Sequence, residues 1–343
     1  MQSPVAITMG DPAGIGPEII IQAFQDGKIF REGNGVVIGD AAILRARAAR
    51  FTPGLNILII PEVESARFDP GVLEVIDLEN VPPGLPTGQA SAAGGKAAID
   101  YIRLAAELAL EGRICAMTTA PINKKGINLA GLPYPGHTEY LAEITRTDDF
   151  SLMMIGGKLR VALVTNHVPL QKVSAIIHKD LVARVIRLTH QWLCRFVTRS
   201  PKIAVTGLNP HCGEEGILGE EEATAIDPAV AQTRAEGIGV TGPHPADSLF
   251  QEARHGAYDA VVAMYHDQGL TPVKMDSMGR AVNLTMGLPI IRTSVDHGTA
   301  YGIAGKGMAS TNSLVEAFKT AILLSQRSEE LQAGKIAPTV RTL

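Results

Sequence analysis

Cysteine is scarce in this chain. Cys115, Cys194 and Cys212 are odd in number and far apart, which excludes a disulfide framework and a zinc knuckle and makes a reducing cytoplasm the expected compartment. Aromatic residues are few, at 4%. Neither sign of charge is in excess: 31 Lys and Arg stand against 35 Asp and Glu, a formal net charge of -4. A nucleic-acid partner usually demands a basic face, so none is expected. No run approaches the roughly 20 apolar residues that span a bilayer. The opening MQSPVAITMGD has no basic region ahead of a long apolar one, so neither a membrane span nor a signal peptide is expected.

Glycine, in contrast, is plentiful: 35 of 343 residues, with 45% of the chain hydrophobic. That length and apolar content suffice for two α/β lobes or one large one. Many glycines with few aromatics suit tight strand-to-helix turns around small-molecule sites.

Short β-rich runs alternate with longer helical patterns. The runs predict strands over 5–9, 35–39, 56–60, 114–118, 152–155, 160–165, 202–206 and 260–264. Helices are predicted over 97–111, 181–196 and from 313 to about 326. In the second of these, Val182, Val185, Ile186 and Trp192 share one face; in the third, Leu314, Ala317, Phe318 and Ile322 do. Such alternation predicts an α/β fold with a largely parallel sheet. No repeat or low-complexity linker marks a domain boundary, so boundaries are expected in short crossings near 131–136 and 293–298.

Five segments carry residues suited to chemistry. In the first, Thr8 to Glu18, a strand ends in a glycine-rich turn and a helix opens with a proline. It is either a tight turn that needs small residues or an anion site made by helix N–H groups. Glycines at 10, 14 and 16 are in the wrong order for a Rossmann fingerprint. Next, His167, His211 and His266 each follow a predicted strand, where ligands of open α/β sheets gather. They are either ordinary hydrogen-bonded histidines or a divalent-metal site with positions open to substrate. His178, His190, His244 and His255 fall in helical or turn contexts and read as structural. Third, in Pro135 to Glu139, Thr138 is placed to cap a helix, and His137 to donate to a substrate carboxylate or hydroxyl. The fourth set, Lys274, Asn283 and Arg292, offers two cations and an amide, as surface charge or as a phosphate site. Last, Asp296 to Gly307 is a glycine-rich loop before the final helix, able to wrap an adenosine or simply to connect domains.

Taken together these segments closely resemble the 4-hydroxythreonine-4-phosphate dehydrogenase family of pyridoxal phosphate biosynthesis. The stretches that carry the resemblance are GDPAGIGPEI, TAPINKKGI, GHTEYLAEIT, NHVPL, GLNPHCGEEGILGEEE, GPHPADSLF, YDAVVAMYHDQGL and VNLTMGLPIIRTSVDHGTAYGIAGKG, spread from residue 8 to about 307. GIGPEI and HGTAYGIAGKG are also similar to segments of isopropylmalate and isocitrate dehydrogenases, which bind NAD(P) without the Rossmann fingerprint.

The resemblance implies a two-lobed, isocitrate/isopropylmalate dehydrogenase-like α/β fold with a cleft between the lobes. Residues 1–130 with 295–343 would form the first lobe, and 131–294 the second, with the metal ligands and a dimer interface. It implies that His167, His211 and His266 bind a divalent metal (zinc, magnesium or cobalt), one imidazole coming from the partner subunit of a homodimer. It implies that His137, Thr138, Lys274, Asn283 and Arg292 bind substrate, and that Asp247 lies beside the metal. Gly298, Thr299 and Gly305 would contact NAD or NADP. Lys274 is the candidate for proton traffic, since a lysine beside a metal and another cation can have a depressed pKa. The implied reaction is oxidation and decarboxylation of a phosphorylated 3-hydroxy acid in the cytoplasm. The start TMGDPAGIGPEI is more similar to a catabolic branch acting on threonate or erythronate phosphates, and 271–280 differs from the biosynthetic enzymes. A related branch oxidises an aromatic cis-dihydrodiol dicarboxylate, and a metabolite-binding protein without turnover is the non-enzymatic alternative.

Overall fold

The computed structural model describes residues 3–332. The described residues divide into two compact units, one running to Asp148 and resuming over Leu288–Ser325, the other covering Asp149–Gly287 and 326–332. The first unit contains β1 (Val5–Thr8), α1 (Gly16–Gln25), α2 (Lys28–Glu32), β2 (Gly35–Gly39), α3 (Ala41–Phe51), β3 (Asn56–Ile60), β4 (Val72–Asp77), α4 (Ala92–Leu110), β5 (Ala116–Thr119), α5 (Lys124–Leu129) and α6 (His137–Ile144). The second contains β6 (Ser151–Gly156), β7 (Leu159–Leu163), α7 (Leu170–Ile176), α8 (Lys179–Phe196), β8 (Ile203–Thr206), α9 (Asp227–Ala235), β9 (Val240–His244), α10 (Ala246–Arg254), β10 (Ala260–Ala263), α11 (His266–Ser277) and β11 (Val282–Met286). The chain then returns to the first unit with β12 (Arg292–Val295) and the start of α12 (Asn312–Gln332).

In the first unit the strand order is β3-β4-β2-β1-β5-β12, parallel throughout. Strands buried on both faces read as continuous apolar runs, as GVVIG does in β2. Ser91 caps α4 by accepting the Gly94 N–H at 3.0 Å. Gly95 lets α5 approach α4 closely, since a Cβ there would fall 2.2 Å from the Gly126 carbonyl.

In the second unit the order is β11-β6-β7-β10-β8-β9. β6 runs antiparallel to both β11 and β7, and the remaining pairs are parallel. Val161, Leu163, Val261, Ala263, Leu270 and Val273 join β7, β10 and α11 in one buried cluster. Each such side chain contributes about 1.5–3 kcal/mol on burial, so the start of α11 is firmly seated on the sheet. Gly269 allows the contact, because a Cβ there would lie 2.8 Å from the Val161 and Leu163 side chains.

Both boundaries between units differ from those expected near 131–136 and 293–298. Helix α6 packs on α4, and β12 pairs with β5, so His137, Thr138 and Arg292 all belong to the first unit. Among the described residues, no helix is long and apolar enough to cross a membrane.

Candidate active site

In the second unit, β10 lies between β7 and β8, all parallel, so their carboxyl ends face one way. His167 follows β7, His211 follows β8, and His266 opens α11 directly after β10. The His266 Nδ1 lies 2.7 Å from Asp267 Oδ1. A ring that donates its Nδ1–H to a carboxylate presents the Nε2 lone pair outward, as metal-binding imidazoles do. The rings of His167 and His266 are 5.6 Å apart, centroid to centroid. That spacing lets both imidazoles reach one ion at Zn–N bonds of about 2.1 Å. Among the described residues no three His, Cys, Asp or Glu side chains converge closely enough to hold an ion. Within one chain, therefore, neither His211 nor Asp247 completes the pair. Asp247 sits exposed in the first turn of α10, where its Oδ1 accepts the Ser248 N–H at 3.0 Å.

His211 lies in a left-handed turn: φ is +52° at His211, +57° at Cys212, +79° at Gly213, +42° at Glu214 and +57° at Glu215. Left-handed helical backbone costs roughly 1–2 kcal/mol per L-residue and persists only where the surroundings over-determine it. Glu222, 4% exposed, binds the entry to this turn. Its Oε1 accepts the Leu208 and Asn209 N–H groups at 2.7 Å each, and its Oε2 accepts Asn209 Nδ2 at 2.9 Å.

Lys274 is exposed on α11, eight residues beyond His266 and so roughly 12 Å further along the helix axis. Asn283 stands on β11 opposite Met154, and its buried Oδ1 has no hydrogen-bond partner.

In the first unit, Arg292 opens β12 at 3% exposure. Its Nε and Nη2 donate to Thr119 Oγ1 at 3.2 and 2.8 Å. Burial pushes its pKa down to about 9, against the pull of the Glu139 carboxylate; the guanidinium still carries its charge at neutral pH. His137 opens α6. Burial, then repulsion from Arg292, holds its pKa well below the usual histidine range, with a hydrogen bond to the Ala120 backbone acting the other way. The ring is thus neutral. Its Nε2 is sealed from solvent without a partner, so the Ala120 bond comes from Nδ1–H and Nε2 is a bare acceptor. His137 is thus placed to accept a hydrogen bond at Nε2. Thr138 lies inside the first turn of α6, and Gly136, not Thr138, is the cap residue.

The glycine-rich loop of the same unit is clamped to α1. Glu18, fully buried, accepts the Gly305 N–H and, at 2.9 Å, the Gly307 N–H. The Tyr301 hydroxyl donates to Asp11 Oδ2 at 2.6 Å, and the Thr299 carbonyl accepts the Ile15 N–H at 3.1 Å. The amides of Asp11, Ala13, Gly14 and Ile15 are all spent on protein acceptors. The turn ahead of α1 is therefore held through its own backbone amides. A Cβ at Gly10 would fall 2.3 Å from the Pro121 carbonyl oxygen, and its φ is +71°. The Gly305 amide is likewise engaged, by Glu18.

The family described as pyridoxal phosphate biosynthetic protein PdxA matches residues 31–321. The chain belongs to the PdxA family. It is 47% identical over 326 residues to the 4-hydroxythreonine-4-phosphate dehydrogenase of Trichlorobacter lovleyi, covering 94% of this chain and 97% of that one. It is 45% identical over 324 residues to the D-threonate 4-phosphate dehydrogenase of Cupriavidus necator, with the same coverage. The crystal structure of 4-hydroxythreonine-4-phosphate dehydrogenase from Klebsiella pneumoniae superposes with a TM-score of 0.89 at 43% identity, covering 95% of this chain and 99% of that one.

On this PdxA scaffold each unit gathers part of the expected set: His167 with His266 in the second, His137 with Arg292 in the first. Thr119, Glu18, Asp11 and Glu222 were not singled out by the sequence. Thr119 opens TAPINKKGI, Glu222 closes GLNPHCGEEGILGEEE, and Glu18 and Asp11 lie inside GDPAGIGPEI. Gln268, two residues beyond His266, was also missed. Its Oε1 accepts from Thr206 Oγ1 and Met264 N, and its Nε2 donates to the Gly207 carbonyl, tying the ends of β8 and β10 together.

Proposed function

We propose that the chain catalyses the metal-dependent, NAD(P)-linked oxidation and decarboxylation of a phosphorylated four-carbon 3-hydroxy acid, 4-hydroxythreonine 4-phosphate or D-threonate 4-phosphate. Relatives of 47% and 45% identity carry one name each. The two substrates share phosphate, carboxylate and 3-hydroxyl and differ only in the group on C2. The observation that carries the proposal is Arg292: a buried guanidinium, oriented by Thr119, beside a neutral histidine with a bare Nε2. A phosphate meets a guanidinium through two parallel hydrogen bonds, which are stronger out of bulk water. An aromatic dihydrodiol would call for an apolar wall here, whereas Thr119, His137 and Glu139 are polar. A binding protein without turnover has no need of the paired His167 and His266.

When bound, a divalent ion supplies Lewis-acid stabilisation at the reacting oxygen and the dinucleotide supplies the hydride acceptor. The chain's own residues do the rest. Arg292 binds the phosphate, His137 Nε2 accepts a substrate hydroxyl proton in a hydrogen bond, and Thr138 adds a polar contact. In the second unit, Asn283 Oδ1 accepts from substrate and Lys274 moves a proton at its Nζ. Gly298, Thr299 and Gly305, on the loop that Glu18 clamps, line the dinucleotide. His167, His211 and His266 hold the metal with one imidazole from the partner subunit of a homodimer, and Asp247 stands beside it. Exposed apolar side chains support a covered face: Leu170 and Ile217, 70% and 80% exposed, lie a few residues from His167 and His211. The proposed compartment is the cytoplasm.

The test is nicotinamide absorbance with both phosphorylated acids, before and after a chelator and with zinc, magnesium or cobalt restored. Turnover of at least one acid, lost on chelation and regained with metal, is expected. Turnover of an aromatic dihydrodiol alone, or of none of these acids, overturns the proposal.

A further inference from the structure

We infer that Glu222 is a positioning residue for metal capture: its carboxylate holds the left-handed turn that aims His211. The inference rests on the proposal that His211 is a metal ligand. Three features support it. The carboxylate grips the entry to the turn through both the Leu208 and Asn209 amides and through the Asn209 side chain. It also lies against the middle of the turn, where a Cβ at Gly213 would lie 2.9 Å from Glu222 Oε2. Between entry and exit every residue from His211 to Glu215 has positive φ, a conformation that L-residues leave when released. Finally, Glu222 begins a π-helical stretch, Glu222–Ile226, that runs into α9, so its own backbone is anchored to the body of the second unit. Without the carboxylate, two half-buried amides lose their acceptor and the turn relaxes toward right-handed backbone, swinging the His211 ring away.

Glutamine at this position keeps the shape and one acceptor oxygen but turns an N–H₂ toward Asn209 Nδ2, donor against donor. Partners that orient a metal-binding side chain are typically worth 10- to 100-fold in metal affinity. Zinc affinity of the full chain is measured by competition with a chromophoric chelator, for wild type, Glu222→Gln, His211→Ala and Glu74→Gln. Glu74 is the control. It too is a buried carboxylate accepting two backbone amides, of Arg67 and Phe68 at 2.7 and 2.8 Å, but in the first unit. The expected result is loss of zinc binding in His211→Ala, about tenfold or greater weakening in Glu222→Gln, and unchanged affinity in Glu74→Gln. Amide hydrogen exchange in the zinc-free protein should accelerate at Leu208 and Asn209 in Glu222→Gln. If Glu222→Gln does not fold, Asn209→Ala, which removes the Asn209 side-chain bonds to Glu222 and Glu221 and leaves both backbone amides on the carboxylate, carries the same test with a smaller loss. Wild-type zinc affinity in Glu222→Gln alongside loss in His211→Ala overturns the positioning role and leaves the ligand assignment standing. Wild-type affinity in His211→Ala overturns the ligand assignment, and the positioning role with it.

Discussion

Arg292 is held by two donations to one hydroxyl oxygen, Thr119 Oγ1. Lysine keeps the charge at this position but loses the planar fork, so it cannot hold Thr119 and a phosphate together. Hydrogen bonds to charged groups contribute about 1.5–3 kcal/mol. Arg292→Lys is therefore expected to lower kcat/KM for a phosphorylated acid roughly 10- to 100-fold, mainly through KM. Steady-state kinetics with a dephosphorylated analogue should show little change. A second prediction concerns His137, whose folded pKa is depressed. Below a pH of about 6.5 the unfolded ring takes up a proton that the folded ring refuses. The unfolded state then binds more protons, so stability is present above that pH and is lost as pH falls further. In melting experiments from about pH 7 to pH 5, wild type should lose more stability than His137→Gln. Equal losses would contradict a buried neutral ring. Arg292 and His137 were legible because their chemistry is rare and their motifs are long. Glu18 and Glu222 were not, because a carboxylate that accepts backbone amides leaves no periodic mark. Two of the amides Glu18 accepts are 287 and 289 positions away.

The glycine-rich loop depends on α1 for its shape, through Glu18, Tyr301 with Asp11, and Ile15 with Thr299. Glu18→Gln leaves one buried amide without a carboxylate acceptor, at a cost of about 1–3 kcal/mol. Calorimetric titration should show weaker dinucleotide binding, with affinity for the phosphorylated acid unchanged; an equal loss for both would place the loop elsewhere in function. All eight strands predicted from apolar runs are present, within a few residues of their expected ends. The four not anticipated have plain reasons. β9 is an edge strand carrying Pro243, with a register shift against β8. β11 and β12 carry Asn283 and Arg292 in place of apolar residues. In β4, Glu74 interrupts the apolar run and is buried, spent on the Arg67 and Phe68 amides. The predicted helices run longer than their apolar faces: α4 begins at Ala92, where Ser91 caps it, ahead of the first periodic positions.

At the scale of the whole molecule, the alternation of strands and helices made the α/β class legible, while the division into units was not. A crossing of small residues such as 131–136 suggests a boundary, yet the boundary follows packing, and α6 stays with α4. The proposed metal site raises the same difficulty, since sequence cannot show which ligands one chain brings together. Here it brings together His167 and His266 alone. If a second copy completes the set, Ile217→Glu should disrupt the dimer in sedimentation and weaken zinc binding together; a monomer that binds zinc as well as wild type would refute the shared site. The most direct test is anomalous diffraction from crystals grown with zinc. A peak about 2.1 Å from ring nitrogens of His167, His211 and His266, drawn from two protomers, is the predicted result. Rings that point apart with no anomalous peak between them would contradict it.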